Sequence, residues 1–278
     1  MADPEAQIET PTEEEVAEDV EMGGDEADAG AGEGDEATML ADIEQDVPEM
    51  TTFLDYLKSP IVELVVGTGD NEAILSAHQG MLVKSPWFAE QCAQFNSGGP
   101  RRIELASEDL TAVGSVLEYL YNGEYFPKRV NAAKDSALEN DPTVSSPDNE
   151  GVALLRHARV YTLASKFSLP QLKSLAHAKI HRTESTARGE IAYARFVYKE
   201  TSREDNTIRK PVAAFWAMRS HVLRHEAEDE FRSMCLEFPQ FGFDVLSLVL
   251  DAREKQKEPS SGTPVVHAGR KRARVSQG

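Results

Sequence analysis

The stretch IVELVVGTGDNEAILSAHQGMLVKSPWF, residues 61–88, decides how the rest of the chain reads. Its opening, IVELVV over 61–66, is short, rich in β-branched side chains and almost wholly apolar, which is the composition of a buried strand. Gly67, Gly69, Asp70 and Asn71 follow as turn formers, so Glu72–Leu75 is expected to pair back as the second arm of a hairpin. Ser76 and Gln79 have the spacing of a capping box, in which two side chains satisfy the unpaired N–H groups of a helix start. Ser85–Pro86 repeats the start signal, since a proline in the first helical position gives up no hydrogen bond. Two short helices are therefore predicted, over about 77–84 and 86–94.

Outward from there, Arg102–Leu105 reads as another short strand, and Ser107, Glu108 and Asp109 as the acidic cap of a helix. That helix places Leu110, Val113, Val116, Leu117 and Leu120 on one face and stops at Asn122–Gly123. Residues 127–150 hold Pro127, Pro142 and Pro147 among Ser, Asp and Asn, and are expected to be a disordered insertion. Helical spacing resumes with Leu154, Ala158, Tyr161 and Ala164. A second capping box, Ser168 with Gln171 around Pro170, is expected to launch a helix through Leu172, Leu175, Ala176 and Ile180. Residues 183–257 show no strand pattern. Ile208, Val212, Phe215, Trp216, Val222 and Leu223 form an apolar stripe, a helix around Phe231 ends at Pro239, and Val245, Leu246, Val249 and Leu250 belong to another.

The formal charge of −19 is concentrated at one end. Of 48 acids, 19 lie in residues 1–50, which contain no Lys or Arg; the other 29 balance the chain's 29 bases. A segment so acidic and free of aromatic residues cannot bury enough apolar surface to offset its ordering entropy, so it is expected to be a disordered tail. Its scattered Ile8, Val16, Val20, Met39, Leu40, Ile43 and Val47 leave open either docking on a partner or simple solubilisation. Residues 258–278 end in the basic run Arg270, Lys271, Arg272 and Arg274, read as a nuclear-import-like signal rather than a nucleic-acid contact, because the intervening chain is neutral. Two scattered cysteines, Cys92 and Cys235, suit a reducing compartment, and neither a secretory signal nor a membrane span is evident, so a nuclear or cytoplasmic location is expected.

Catalytic chemistry finds little support. His78 near a helix start has no visible nucleophile partner and reads as a packed histidine. His177/His181 and His221/His225 have the i,i+4 spacing of a chelating pair but no third ligand nearby, so no metal is expected. No phosphate-binding glycine motif occurs, and the glycine-rich run within 23–34 is wholly acidic.

The segment 61–88 resembles the opening of a BTB/POZ domain: a valine-rich strand, a turn, an alanine–histidine pair, a leucine, then serine-x-x-phenylalanine, here Ala77, His78, Leu82, Ser85 and Phe88. The string IELASEDLTAVGSVLEYLYNGEY, 103–125, resembles the family's second block, with Tyr119, Leu120, Tyr121, Gly123 and Tyr125 in its "YLYxGxY" ending, and HARVYTLASKFSLPQLKSLA, 157–176, its third. With Tyr198–Glu200 and Ile208–Arg209, the style is similar to fungal BTB proteins that lack kelch or zinc-finger modules.

The resemblance implies an α+β fold, a short hairpin or sheet packed with helices over 51–182, followed by an all-α extension over 183–257. It implies a non-enzymatic adaptor or scaffold that binds other proteins: itself, a cullin ubiquitin ligase or another target. No small-molecule substrate, cofactor or membrane is implied. The alternative is a nuclear transcriptional regulator that recruits through its acidic tail. Three departures stand out. The aspartate that many members place at the start of the first strand, bonded to the histidine, is replaced by Ile61 after Pro60. The 127–150 excursion lengthens a connection usually short, and Phe95, Asn96 and Ser97 stand where cullin-binding relatives carry a hydrophobic-x-acid triplet.

Overall fold

The computed structural model describes residues 52–131 and 136–257. They form an α+β body in which a three-stranded sheet is outnumbered by helices. The elements are α1 (Phe53–Lys58), β1 (Ile61–Val66), β2 (Ala73–His78), α2 (Gln79–Leu82), α3 (Pro86–Ala93), β3 (Arg102–Leu105), α4 (Leu110–Asn122), α5 (Val152–Lys166), α6 (Pro170–Ile180), α7 (Ala187–Glu200), α8 (Asn206–Glu226), α9 (Glu228–Glu237) and α10 (Pro239–Lys257).

β1 is the central strand, which is why it is almost wholly apolar. It pairs antiparallel with β2, from Ile61 opposite His78 to Val66 opposite Ala73, and parallel with β3, from Glu63 opposite Arg102 to Val66 opposite Leu105. Val62, Leu64 and Val66 point into the core, while the outer face carries Glu63 in ion pairing distance of Arg102, which also approaches Glu104.

The helix predicted from Ser76 does not begin there. The hairpin ladder continues through Ser76 to His78, with Ala77 buried opposite Val62, and the helix starts at Gln79 without a side-chain cap. Six ladder pairings outweigh one local cap, and the Gln79 N–H donates instead to Pro60 O at 2.8 Å. The capping box at Ser168 is likewise not formed. Ser168 takes the left-handed conformation (φ 56°) that closes α5, and Leu169 stands before α6 with its N–H on Ala164 O at 2.8 Å.

Other starts and stops fall where their chemistry places them. Ser85 caps α3 ahead of Pro86, Asp109 Oδ1 accepts the Ala112 N–H at 2.9 Å to cap α4, and Gly123 ends α4 in the left-handed region. α5 packs against α4, α6 and α7, and α8 against α7 and α10. One hydrophobic core therefore runs from Val62 to Val245, joining the sheet to the C-terminal helices.

The described part of the 127–150 excursion contains no helix or strand, but it is not a free insertion. The Asp148 carboxylate, almost fully buried, accepts the Val152 and Ala153 N–H groups at 2.9 Å each and so caps α5 from outside the helix, where Gly151 supplies no side chain. Asp141 bonds Arg156 on the same helix. Prolines and polar residues without periodicity signalled an irregular path; the Asp141–Arg156 tether spans 15 residues and is not carried by composition, whereas Asp148 caps α5 from only four residues before Val152. Among the described residues no single helix is long and apolar enough to cross a membrane.

Candidate interaction surface

The signature residues divide into those that build the body and those that reach its surface. Ala77, Leu82, Ser85, Phe88, Leu120 and Tyr125 are buried. Ser85 has two tasks: its Oγ accepts the Phe88 N–H and donates to Phe167 O at 2.6 Å, tying α3 to the end of α5. Phe88 then packs on Phe167, ring centroids 4.6 Å apart.

His78 is bonded to Tyr121, whose hydroxyl oxygen accepts the His78 N–H at 2.9 Å and lies 2.7 Å from the ring Nδ1. A tyrosine from the end of α4 thus engages the histidine that lacks an acid at Ile61. The partner was not legible from the 61–88 stretch because it lies 43 residues downstream.

Tyr119, Leu120, Tyr121 and Gly123 come together with Lys84 and the 168–171 turn around a groove of about 610 Å³. Burial raises the Tyr119 phenol above its ordinary pKa, and its hydroxyl donates to Gln171 Oε1 at 3.4 Å, so this ring stays a neutral, partly apolar wall. Lys84 lies over the Tyr56 ring at 4.6 Å, which joins the groove to α1.

α1 is small but fixed. Thr52 and Asp55 cap each other, Ser59 Oγ accepts the Gly80 N–H at 2.8 Å, and the helix touches α2 and β2. Yet none of its residues is buried: Phe53, Leu54 and Leu57 are 55%, 57% and 38% exposed. Ile61 and Ile74, on the hairpin next to it in sequence, are also exposed. That its apolar side chains face outward could be known only once the core was seen to fill without them.

The remaining candidates stay apart from this surface. His177 Nε2 lies 3.2 Å from His181 Nε2 and 3.0 Å from Thr207 O, and burial followed by the neighbouring His177 lowers the His181 pKa. His221 and His225 are exposed on α8, and no group of three His, Cys, Asp or Glu among the described residues is placed to hold a metal. Burial raises the Cys92 thiol, which keeps it a packed, protonated group. Phe95 is half-buried and Asn96 and Ser97 are exposed in the loop before β3. Arg270, Lys271, Arg272 and Arg274, and the acidic segment 1–50, lie outside the described residues.

Sequence reasoning missed a buried polar cluster beneath this surface. Lys179 reaches Glu124, Tyr125 O and Pro127 O, and the Tyr125 hydroxyl lies 2.9 Å from His157 Nδ1. A signal existed: Lys179 falls at the apolar spacing of Leu172, Leu175 and Ala176, and His157 at that of Leu154 and Tyr161. No protein-family model matches the chain, and no curated protein is found that resembles it.

Proposed function

We propose that this chain is a non-enzymatic interaction module of the BTB/POZ type, an adaptor or scaffold that joins protein partners, a second copy of itself among them. The order of elements supports the reading: a hairpin, a helix pair, a third strand, an amphipathic helix and a further helix pair, built by the three blocks that resemble the family. The observation that carries it is α1. Phe53, Leu54 and Leu57 are held in water on a capped, anchored helix, and apolar area displayed in that way gains free energy when a second surface covers it.

Sedimentation of the full chain tests this. The expected result is a dimer at concentrations on the order of tens of micromolar, converted to monomer by Phe53→Asp with Leu57→Asp at unchanged helix content. A wild-type monomer at that concentration removes the self-association. A cullin is the less favoured partner, because Ser97 stands where the resemblance expects an acid. A pull-down with a purified cullin N-terminal domain separates adaptor from self-associating scaffold.

The second reading, a nuclear transcriptional regulator, is supported by the pairing of an acidic segment over 1–50 with the basic run Arg270, Lys271, Arg272 and Arg274. Replacing those four residues by alanine is expected to abolish nuclear accumulation. Unchanged distribution excludes this reading.

A further inference from the structure

A second groove, of about 470 Å³, opens between α8 and α10. That volume is within the roughly 300–1,000 Å³ of pockets that bind small ligands. Its floor is apolar, formed by Ala213, Ala214, Phe243 and Leu248. Its rim carries Arg203 and Lys210, both exposed and neither in a salt bridge with a described residue.

The back wall is Arg209, which is only 7% exposed. Its guanidinium donates to Thr201 Oγ1 at 3.1 Å, to Tyr198 O at 3.0 Å and to Thr201 O, and stacks over the Tyr198 ring at 4.7 Å. All these acceptors are neutral. A full positive charge therefore sits in the wall with no carboxylate hydrogen-bonded to it among the described residues, although the exposed Glu204 carboxylate lies near enough to feel both Arg203 and Arg209.

The one acid lining the groove, Asp244, is already committed, accepting from Tyr198 Oη at 2.7 Å and Gln240 Nε2 at 2.6 Å. The lining is thus an apolar floor under an excess of positive charge. Beyond the groove, Leu246 and Leu250 continue the exposed side of α10 from Phe243, at 56% and 47% exposure, which is more apolar length than a small anion would cover.

We propose that the α8–α10 groove binds an acidic peptide segment of a partner protein, with its carboxylates on Arg203 and Lys210 and its apolar side chains on Phe243 and Leu248. A nucleic-acid backbone needs a longer basic track, without an acid such as Asp244 among the cations. The site is independent of α1 and of the family resemblance.

Fluorescence anisotropy with the full chain tests the proposal, using a labelled peptide of alternating glutamate and leucine and a counterpart with lysine for glutamate. The glutamate peptide is expected to bind saturably and the lysine peptide not to bind. Arg203→Glu with Lys210→Glu is expected to weaken binding on the order of tenfold. Because both residues are exposed, the variant keeps its fold, which thermal melting verifies; should it not, Lys210→Ala alone gives a smaller loss in the same direction. Phe243→Ser is expected to weaken binding as well, since it removes the apolar contact and leaves the charge. No saturable binding, equal binding of the lysine peptide, or affinity unchanged by charge reversal overturns the proposal.

Discussion

Lys179 Nζ lies 2.6 Å from Glu124 Oε1 with none of the lysine side chain exposed to solvent. Its three N–H donors meet three acceptors, Glu124 Oε1, Tyr125 O and Pro127 O at 2.8 Å, and the ammonium also stands 3.7 Å from the centre of the Tyr125 ring. The pair ties α6 to the chain leaving α4. Burial draws the Lys179 pKa below the ordinary lysine value, and Glu124 opposes that shift. Lys179→Met leaves a carboxylate and two carbonyls without their buried partner, and is expected to cost about 3–5 kcal/mol in urea denaturation. Adding Glu124→Gln to Lys179→Met is expected to restore part of the loss. Strictly additive effects would show that the two side chains are not coupled.

The neighbouring His157 sets a prediction in acid. Burial, then the positive charges of Lys179 and Arg156, lower its pKa from 6.5 to about 3. The folded state thus takes up its proton less readily than the unfolded one. Stability from this group is complete above the unfolded value of 6.5 and is lost as pH falls toward about 3, at a slope of about 1.4 kcal/mol per pH unit. Carboxylates contribute in the same range, so the wild-type curve is compared with that of His157→Phe. The variant is less stable at neutral pH, because the Tyr125 hydroxyl loses its partner, but its curve is flatter below 6.5. Parallel curves would place the titration elsewhere.

These two groups also mark where the sequence could and could not be read. Local chemistry was legible: the apolar run Ile61–Val66 is the central strand, Ser85–Pro86 and Asp109 open helices, and Gly123 closes one. Local chemistry misled at Ser76 and Ser168, where a ladder pairing and a left-handed helix stop took precedence over a capping pattern. What could not be read were partners far along the chain. Tyr121 for His78 and Glu124 for Lys179 each depend on a packing geometry that periodicity does not encode. The candidate surface followed the same rule. The exposure of Phe53, Leu54 and Leu57 is a property of the finished core.

Glu190, in the first turn of α7, titrates in the opposite sense. It lines a cavity of about 120 Å³ with His181 and Tyr193, and burial raises its pKa from 4.5 to about 7; Arg219 opposes the shift and Asp148 adds to it. The folded state holds this proton more tightly than the unfolded state. Its contribution is fully present below 4.5 and is lost as pH rises through about 7. Glu190→Gln mimics the neutral form, so it is expected to raise stability at about pH 8, by on the order of 1–3 kcal/mol, and to change little near pH 4.5. Thermal melting at both values checks this. A variant less stable than wild type at the higher pH would show that the carboxylate is paired there.

Gly189 and Gly151 bring the starts of α7 and α5 into backbone contact, and the sign of an alanine substitution reports on it. In an open helix position alanine in place of glycine stabilises by about 0.5–1 kcal/mol. A Cβ on Gly189, however, would lie 2.8 Å from Gly151 N and 2.9 Å from Asp148 O, both backbone atoms that cannot turn aside. It would also lie 2.0 Å from Ser185 Oγ, which is itself held by donating to Asp148 O at 2.6 Å. Asp148 is the residue that caps α5, so moving it apart from Gly189 disturbs the cap as well. Gly189→Ala is expected to destabilise by about 1–3 kcal/mol. Gly114→Ala in α4, where an added Cβ meets no atom within 4 Å, is expected to stabilise and serves as the control. Melting temperatures of the two variants should therefore move in opposite directions from wild type. A rise in both would mean that α5 and α7 stand further apart than this contact requires.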